Sequence, residues 1–279
     1  MTSAGQRWKR QLEGWGIPEE ILAAAPESPW TLPAEIFRTR AALAGSRADS
    51  ATTLMAIEAL PNGGSVLDVG CGSGATSLPL AGKASRLAGV DANAGQLDLF
   101  LAAAASAGIE ATAILGNWLE VETLAPVSDV VVCGHVAYNV SELGRFALAL
   151  TAHADLRVVM EMTQRHPLSW MSDLWQHFHG LRRPDGPTAD DARAVIEESG
   201  IASQRREHVR RNDGAGGGFE RAEDAVALIR RRLCLPAERD DEVAQALGDR
   251  LTRRGELWTA GPLEQTVVTL WWDAGAAAN

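Results

Sequence analysis

Lysine is almost missing from this 279-residue chain: only Lys9 and Lys83 occur, although arginine is plentiful. Tyrosine appears once, at Tyr138, and cysteine three times, at Cys71, Cys133 and Cys234. Three widely spaced cysteines close no disulfide set and offer no zinc spacing, so a cytoplasmic location is expected. No apolar run approaches the ~20 residues a membrane span needs. Residues 1–15 carry charges every few positions around no apolar stretch, unlike a secretory signal. Positive charge is scarce too: 26 Lys and Arg against 36 Asp and Glu leave a formal charge of −10. That balance is ill suited to holding a phosphate backbone across a broad face, so neither nucleic acid nor membrane is expected as a partner. What remains is 46% hydrophobic and 22% charged, an ordinary globular mix. Its length fits one large α/β domain with an attached cap, or two small domains.

Residues 1–60 read as a helical cap. Trp8, Leu12 and Trp15 form one apolar stripe at helical spacing, Gly16 ends that helix, and Pro18 opens the next. A later helix includes Ile36 and Phe37. From residue 61 to the end the texture is that of a second domain, with short apolar runs alternating with helices. The expected strands are 65–69, 86–91, 111–115, 129–133, 156–161, 203–210 and 265–272, a pattern that marks a sheet covered on both faces. Helical insertions are expected over about 163–186 and 219–254, the second including a helix at 240–253. Thr188-Ala-Asp-Asp191 resembles a capping box for a helix over 189–199, with Gly200 at its end. Residues 214–218 form a flexible glycine stretch.

The most informative run is Val66-Leu-Asp-Val-Gly-Cys-Gly-Ser-Gly74. A strand ends there, the chain turns sharply, and a helix is expected to about Ala81. Glycines serve where a Cβ would block a ligand's approach to the backbone. Gly70, Gly72 and Ala75 also satisfy a dinucleotide fingerprint, and Asp91 at the end of strand two suits ribose hydroxyls in either ligand class. Three features point away from a dinucleotide. Asp68, two residues before Gly70, would repel a diphosphate. The loop follows a long helical cap. The chain also closes on a strand reached through a helical insertion.

The stretch D-V-G-C-G-S-G at 68–74, with Asp91, resembles the class I S-adenosylmethionine-dependent methyltransferases, by motif over about residues 60–200 and by strand pattern to 272. The resemblance implies a Rossmann-like, doubly wound α/β sheet of six parallel strands and an antiparallel last one, with S-adenosyl-L-methionine as cofactor. It implies that Gly70, Gly72 and Gly74 pass close to the methionine part, that Asp91 binds both ribose hydroxyls, and that Asp68 contacts the amino group. After strand three such enzymes usually carry an acid for the adenine amino group; Gly116-Asn117-Trp118 stands there instead. Asn117 can still accept through its carbonyl oxygen. Trp118 stacks on adenine, donates its main-chain N–H, or simply packs the core. Cys133, at the end of strand four, completes the expected cofactor wall. The run 130–139, with Arg165-His166-Pro167, is also similar to actinobacterial members of the superfamily.

Methyl transfer from a sulfonium is an in-line displacement that asks the protein to align nucleophile and methyl and to exclude water. In open α/β sheets the site lies beyond the C-terminal strand ends. His135, just past strand four, is the first candidate base, or else a histidine holding its loop. His166, extended before Pro167, is a second. Glu161, ending strand five, is an orienting partner for either histidine or a support for the cap. Tyr138, Asn139, Trp170 and Trp175 are candidate acceptor walls, with cap packing as the plain alternative for the tryptophans. Glu161 and Asn139 are too few for an octahedral oxygen site, so no metal is expected. The arginines at 205–211 and 230–232 read as solvated faces. The expectation is O-methylation of a small-molecule acceptor in a buried pocket by a monomer or homodimer. A small amine as acceptor, or cofactor binding without transfer, stands as the alternative; an NAD(P) oxidoreductase is disfavoured.

Overall fold

The computed structural model describes residues 2–30, 50–211 and 218–275. Among the described residues nine strands are formed: β1 (Gly64–Val69), β2 (Ala84–Asp91), β3 (Glu110–Leu115), β4 (Ser128–Gly134), β5 (Ala154–Thr163), β6 (Gln204–Arg211), β7 (Leu251–Arg254), β8 (Leu257–Ala260) and β9 (Glu264–Asp273). Seven build one sheet in the order β3-β2-β1-β4-β5-β9-β6. β9 runs antiparallel to both β5 and β6, while the pairs from β3 through β5 are parallel. The expected seven-stranded, doubly wound arrangement is therefore present, each strand within a few residues of its expected place.

The helices are α1 (Ala4–Glu13), α2 (Glu19–Ala24), α3 (Ala51–Ala59), α4 (Ala94–Ser106), α5 (Trp118–Val121), α6 (Leu143–Ala152), α7 (Ser172–His179), α8 (Ala189–Glu198), α9 (Ala222–Arg232) and α10 (Asp240–Leu247). Alternate residues of each central strand face opposite sides. Val66, Leu87, Val130, Val132 and Val159 pack with Ala56 and Leu60 at α3 and with Leu97 and Phe100 of α4. Leu67, Val131, Val158, Met160 and Leu270 pack with Phe146 and Leu150 of α6, Val195 and Ile196 of α8, and Trp8 of α1. Burial on both faces explains why these strands read as unbroken apolar runs rather than alternating ones.

A third apolar cluster lies apart from the sheet. Met171, Leu174 and Trp175 meet Val226, Ile229 and Leu233, with Ile17, Ile21 and Leu22 of the N-terminal segment against them. The N-terminal segment thus joins this helical lobe and also reaches the sheet. Trp8 Nε1 donates to Val140 O at 2.7 Å, Trp15 Nε1 donates to Gly186 O at 2.7 Å, and Ala4 N donates to the Glu198 carboxylate at 3.1 Å.

Several expectations need correction. The chain after the glycine turn runs as successive turns into a short 3-10 stretch, Leu78–Leu80, not an α-helix to Ala81. Gly72 and Gly74 hold φ of +51° and +88°, and Pro79 offers no N–H, so helical hydrogen bonding cannot propagate there. α1 stops at Glu13 with Gly14 as its cap, before Gly16. The 240–253 segment is α-helical only to Leu247 and 3-10 over Gly248–Arg250; Leu251–Arg254 and Leu257–Ala260 form a hairpin, so the 219–254 insertion is not wholly helical. Thr188 and Asp191 do form the capping box that starts α8. Arg230 is no solvated residue: it is 6% exposed, its Nε donating to Asp240 Oδ1 at 2.8 Å and its Nη2 to Glu27 Oε1 at 3.1 Å. The helix expected around Ile36 and Phe37, and the glycine stretch apart from Gly218, lie outside the described residues.

Candidate active site

Two clusters of polar side chains stand beyond the C-terminal ends of the parallel strands. The first is the corner between β1 and β2. Asp91 closes β2, accepting from Gly72 N on Oδ2 and from Asn93 N on Oδ1, each at 2.9 Å. A carboxylate oxygen accepts more than one hydrogen bond, so both retain acceptor capacity. Asp68 is fully buried; Ser77 Oγ donates to its Oδ2 at 2.6 Å, while Oδ1 has no partner. Burial raises its pKa to about 7, partly opposed by the Ser77 hydrogen bond. Gly70, Gly72 and Gly74 all have positive φ, but a Cβ would meet different surroundings at each. At Gly70 it would stand 2.2 Å from Val136 Cγ2, whereas at Gly72 the nearest atom is Gln96 Oε1 at 3.7 Å. Only the Gly72 stretch leaves room for close approach to the backbone.

Asn117 and Trp118 follow β3, whose trailing Gly116 N donates to Asp91 O at 3.0 Å. Asn117 Nδ2 donates to Glu120 at 3.3 Å on the surface. Trp118 is 5% exposed, edge-on to His153, with its Nε1 buried and without a partner. Cys133 is wholly buried, and desolvation drives its thiol pKa upward, as it does for Cys71. Both thiols are inert packing groups at neutral pH.

The second cluster joins β4, β5, β9, β6 and α3. The register pairs Gly134 with Glu161, and Glu161 with Thr269. His135 follows Gly134 with φ +61°, its N donating to Glu161 O at 2.7 Å. Its Nε2 lies 2.9 Å from Glu161 Oε1. Thr52 Oγ1, from the first turn of α3, donates to Glu161 Oε2 at 2.6 Å and meets Thr269 Oγ1 at 2.9 Å. Arg210 places Nη1 at 3.8 Å from Glu161 Oε1 and 3.4 Å from His135 Nε2. The His135 side chain is 30% exposed, that of Glu161 only 7%. The expected pairing of Glu161 with a histidine thus falls on His135. Thr52 and Thr269 were missed by sequence reasoning, and Arg210, expected on a solvated face, instead reaches Glu161 and His135; no local motif marks the three.

His166 does not join that cluster. Its ring stacks on Trp15 at 3.9 Å, edge-on to Tyr138, and its Nδ1 accepts from Leu168 N at 3.3 Å. Burial, aided by Arg183, pushes its pKa down to about 4, leaving it neutral and weakly basic at pH 7. Tyr138 is 6% exposed, stacked on Trp8, and its hydroxyl donates to Thr163 O at 2.7 Å. Trp175 is 2% exposed beneath the Arg183 guanidinium, 4.0 Å away. These two hold the cap together. Asn139 is exposed and Trp170 half-buried, so both retain surface. Among the described residues no group of His, Cys, Asp and Glu side chains could hold a metal, and no helix is long and apolar enough to cross a membrane.

Residues 66–159 match the family model described as a methyltransferase domain. No curated protein sequence matches the chain. Two solved structures share the fold. The YcgJ protein from Bacillus subtilis superposes with a TM-score of 0.51 at 16% identity, covering 80% of this chain and 97% of its own. A cyclopropane-fatty-acyl-phospholipid synthase-like protein from Lactobacillus casei gives 0.51 at 16%, covering 95% and 99%. With the strand order and the glycine corner already described, the matched segment gives residues 66–159 the likeness of a methyltransferase domain, set in a Rossmann-like fold.

Proposed function

We propose that this protein methylates an oxygen of a small-molecule acceptor, with His135 as general base. The 2.9 Å contact between His135 Nε2 and Glu161 Oε1, at the ends of β4 and β5, carries this reading. A neutral hydroxyl needs a base when it attacks, and a histidine titrates in the right range. Because Glu161 accepts from Nε2–H, Nδ1 is left as the ring's acceptor. A proton taken there creates an imidazolium that Glu161 stabilises directly, as in a carboxylate–histidine pair of a hydrolase. The left-handed backbone of His135 costs about 1 kcal/mol for a non-glycine residue, a strain that residues at functional sites often carry.

The corner residues suit the cofactor. Asp91 keeps acceptor capacity for ribose hydroxyls, Asp68 Oδ1 awaits a donor, and Gly72 leaves the backbone open. Gly70 and Gly74 shape the turn, Asn117 and Trp118 stand beside the adenine position, and Cys133 fills the floor. S-adenosylmethionine supplies an activated methyl group there. Of the 1–60 cap expected over a 61–279 domain, the part before residue 31 takes that role here, with Trp8 and Trp15 tying it over the loops after β4 and β5, while α3 packs on the sheet. Asn139 and Trp170 face the acceptor; Tyr138 and Trp175 back them. The charge of −10 favours a small acceptor over nucleic acid. We place the enzyme in the cytoplasm as a monomer or homodimer.

The test is transfer of an isotopically labelled methyl group to a panel of small phenols, alcohols, carboxylates and amines. Transfer to hydroxyls is expected, with His135→Asn lowering it about a hundredfold or more while S-adenosylhomocysteine still raises Tm. Transfer confined to amines, or an unaffected His135→Asn variant, overturns the reading.

A further inference from the structure

We infer that Thr52 and Thr269 are positioning residues that lock the Glu161 carboxylate so that His135 is held as its Nε2–H tautomer. The inference rests on the reading of His135 and Glu161 as a working pair. It adds to that pair two hydroxyls from elements remote in sequence, one on α3 and one on β9.

The direction of each hydrogen bond follows from counting protons. A hydroxyl has one hydrogen to give. Thr52 gives its hydrogen to Glu161 Oε2, 2.6 Å away, since a carboxylate only accepts. The 2.9 Å contact between Thr52 Oγ1 and Thr269 Oγ1 must then be donated by Thr269. Glu161 is left with Oε1 toward His135, and an acceptor-only oxygen at 2.9 Å requires a hydrogen on Nε2. One orientation of hydroxyls therefore runs from Thr269 through Thr52 to Glu161 and sets which ring nitrogen of His135 keeps a lone pair. Thr52 is 2% exposed and Thr269 0% exposed, so water does not compete for these bonds. Buried, unbroken chains of this kind hold their members in one geometry. Arg210 Nη1, itself only a donor, lies 3.4 Å from the same Nε2 and 3.8 Å from Glu161 Oε1; with the Nε2 hydrogen directed at the nearer Oε1, the guanidinium pairs with the carboxylate and gives no hydrogen bond to the ring.

Loss of the Thr52 hydroxyl removes its hydrogen bond to Oε2, and Oε1 is held less firmly against His135. The measurement is the exchange of the His135 Nε2 proton with water, followed by nitrogen-15 NMR on the full chain without added ligands and assigned by its loss in His135→Asn. Wild type is expected to show a downfield, protected resonance. Thr52→Val should speed its exchange at least about tenfold, the worth of one hydrogen bond to a charged group, and Thr52→Ser should restore it. If Thr52→Val does not fold, Thr269→Val, which removes only the outer hydroxyl, is expected to act in the same direction. Unchanged exchange in a folded Thr52→Val or Thr269→Val protein, with the resonance still lost in Glu161→Ala, overturns the positioning role and leaves the pair intact. Absence of the resonance from wild type, or its persistence in Glu161→Ala, overturns the pair and this inference with it.

Discussion

The glycine corner and the His135 cluster draw on the chain over very different ranges. In the corner, Ser77 reaches Asp68 across 9 positions and Gly72 reaches Asp91 across 19. In the cluster, Thr52 reaches Glu161 across 109 positions and Thr269 across 217, and Arg210 reaches His135 across 75. The corner is one strand, one turn and the next strand, so its geometry is written in contiguous residues. The cluster exists only because β4, β5 and β9 align Gly134, Glu161 and Thr269 in register. On the proposed function, cofactor binding is thus encoded locally, whereas the groups proposed to act on the acceptor depend on the assembled sheet.

The sharpest way to break this comparison is to remove the acid on the local side. Asp91→Ala deletes two potential charge-assisted bonds to the ribose and leaves Gly72 N and Asn93 N without their acceptor. Affinity for S-adenosylhomocysteine should fall more than about a hundredfold, at roughly 1.5–3 kcal/mol per bond. The ligand-induced rise in Tm should vanish with it. Calorimetry that finds Asp91→Ala binding within about threefold of wild type, well under 1 kcal/mol, would remove the cofactor from this corner.

This contrast also explains what was legible. The strands announced themselves because runs such as Val130-Val131-Val132 and Val158-Val159-Met160 are buried on both faces. Asp68, Gly70, Gly72, Gly74 and Asp91 were visible as a spaced motif. His135 and Glu161 were visible as polar residues at strand ends, with Glu161 expected beside His135 or His166, but which histidine it meets depends on a register that no sequence pattern states. Thr52 and Thr269 were invisible, since a threonine on a helix or in a strand reads as ordinary. The helix expected after Gly74 failed because Pro79 lacks an N–H and the left-handed glycines before it interrupt helical hydrogen bonding. Arg230 was misread because its partners, Glu27 and Asp240, sit on other elements.

Alanine at two neighbouring glycines sharpens the comparison at the point where the regions touch. At Gly70, with φ +71°, the new Cβ would press on Val136 Cγ2 in the loop that carries His135. Left-handed strain and overpacking together should cost about 3 kcal/mol in urea unfolding. At Gly72, with φ +51° and nothing nearer than 3.7 Å, only the conformational strain of about 1 kcal/mol applies. Equal losses at the two sites would mean that the corner and the His135 loop are not interlocked through Val136.

The last expected effect is confined to acid pH and concerns which histidine does chemistry. His166, stacked on Trp15, has its pKa lowered to about 4 by burial and by Arg183. In the unfolded chain it titrates near 6.5, so the folded state binds the proton less well. Its contribution to stability is therefore complete above pH 6.5 and is lost as pH falls from there through 4. The loss should come to about 2 kcal/mol after discounting for partial exposure. His166→Phe keeps an aromatic ring against Trp15 and cannot take up a proton, so its unfolding free energy should stay flatter across that window. Parallel curves for the two proteins would mean that the ring is not shut away beneath the cap, and would return His166 to the candidates for the base. A difference confined to the acid limb instead fixes it as a neutral brace between cap and sheet, and leaves the proposed proton transfer to the half-buried His135.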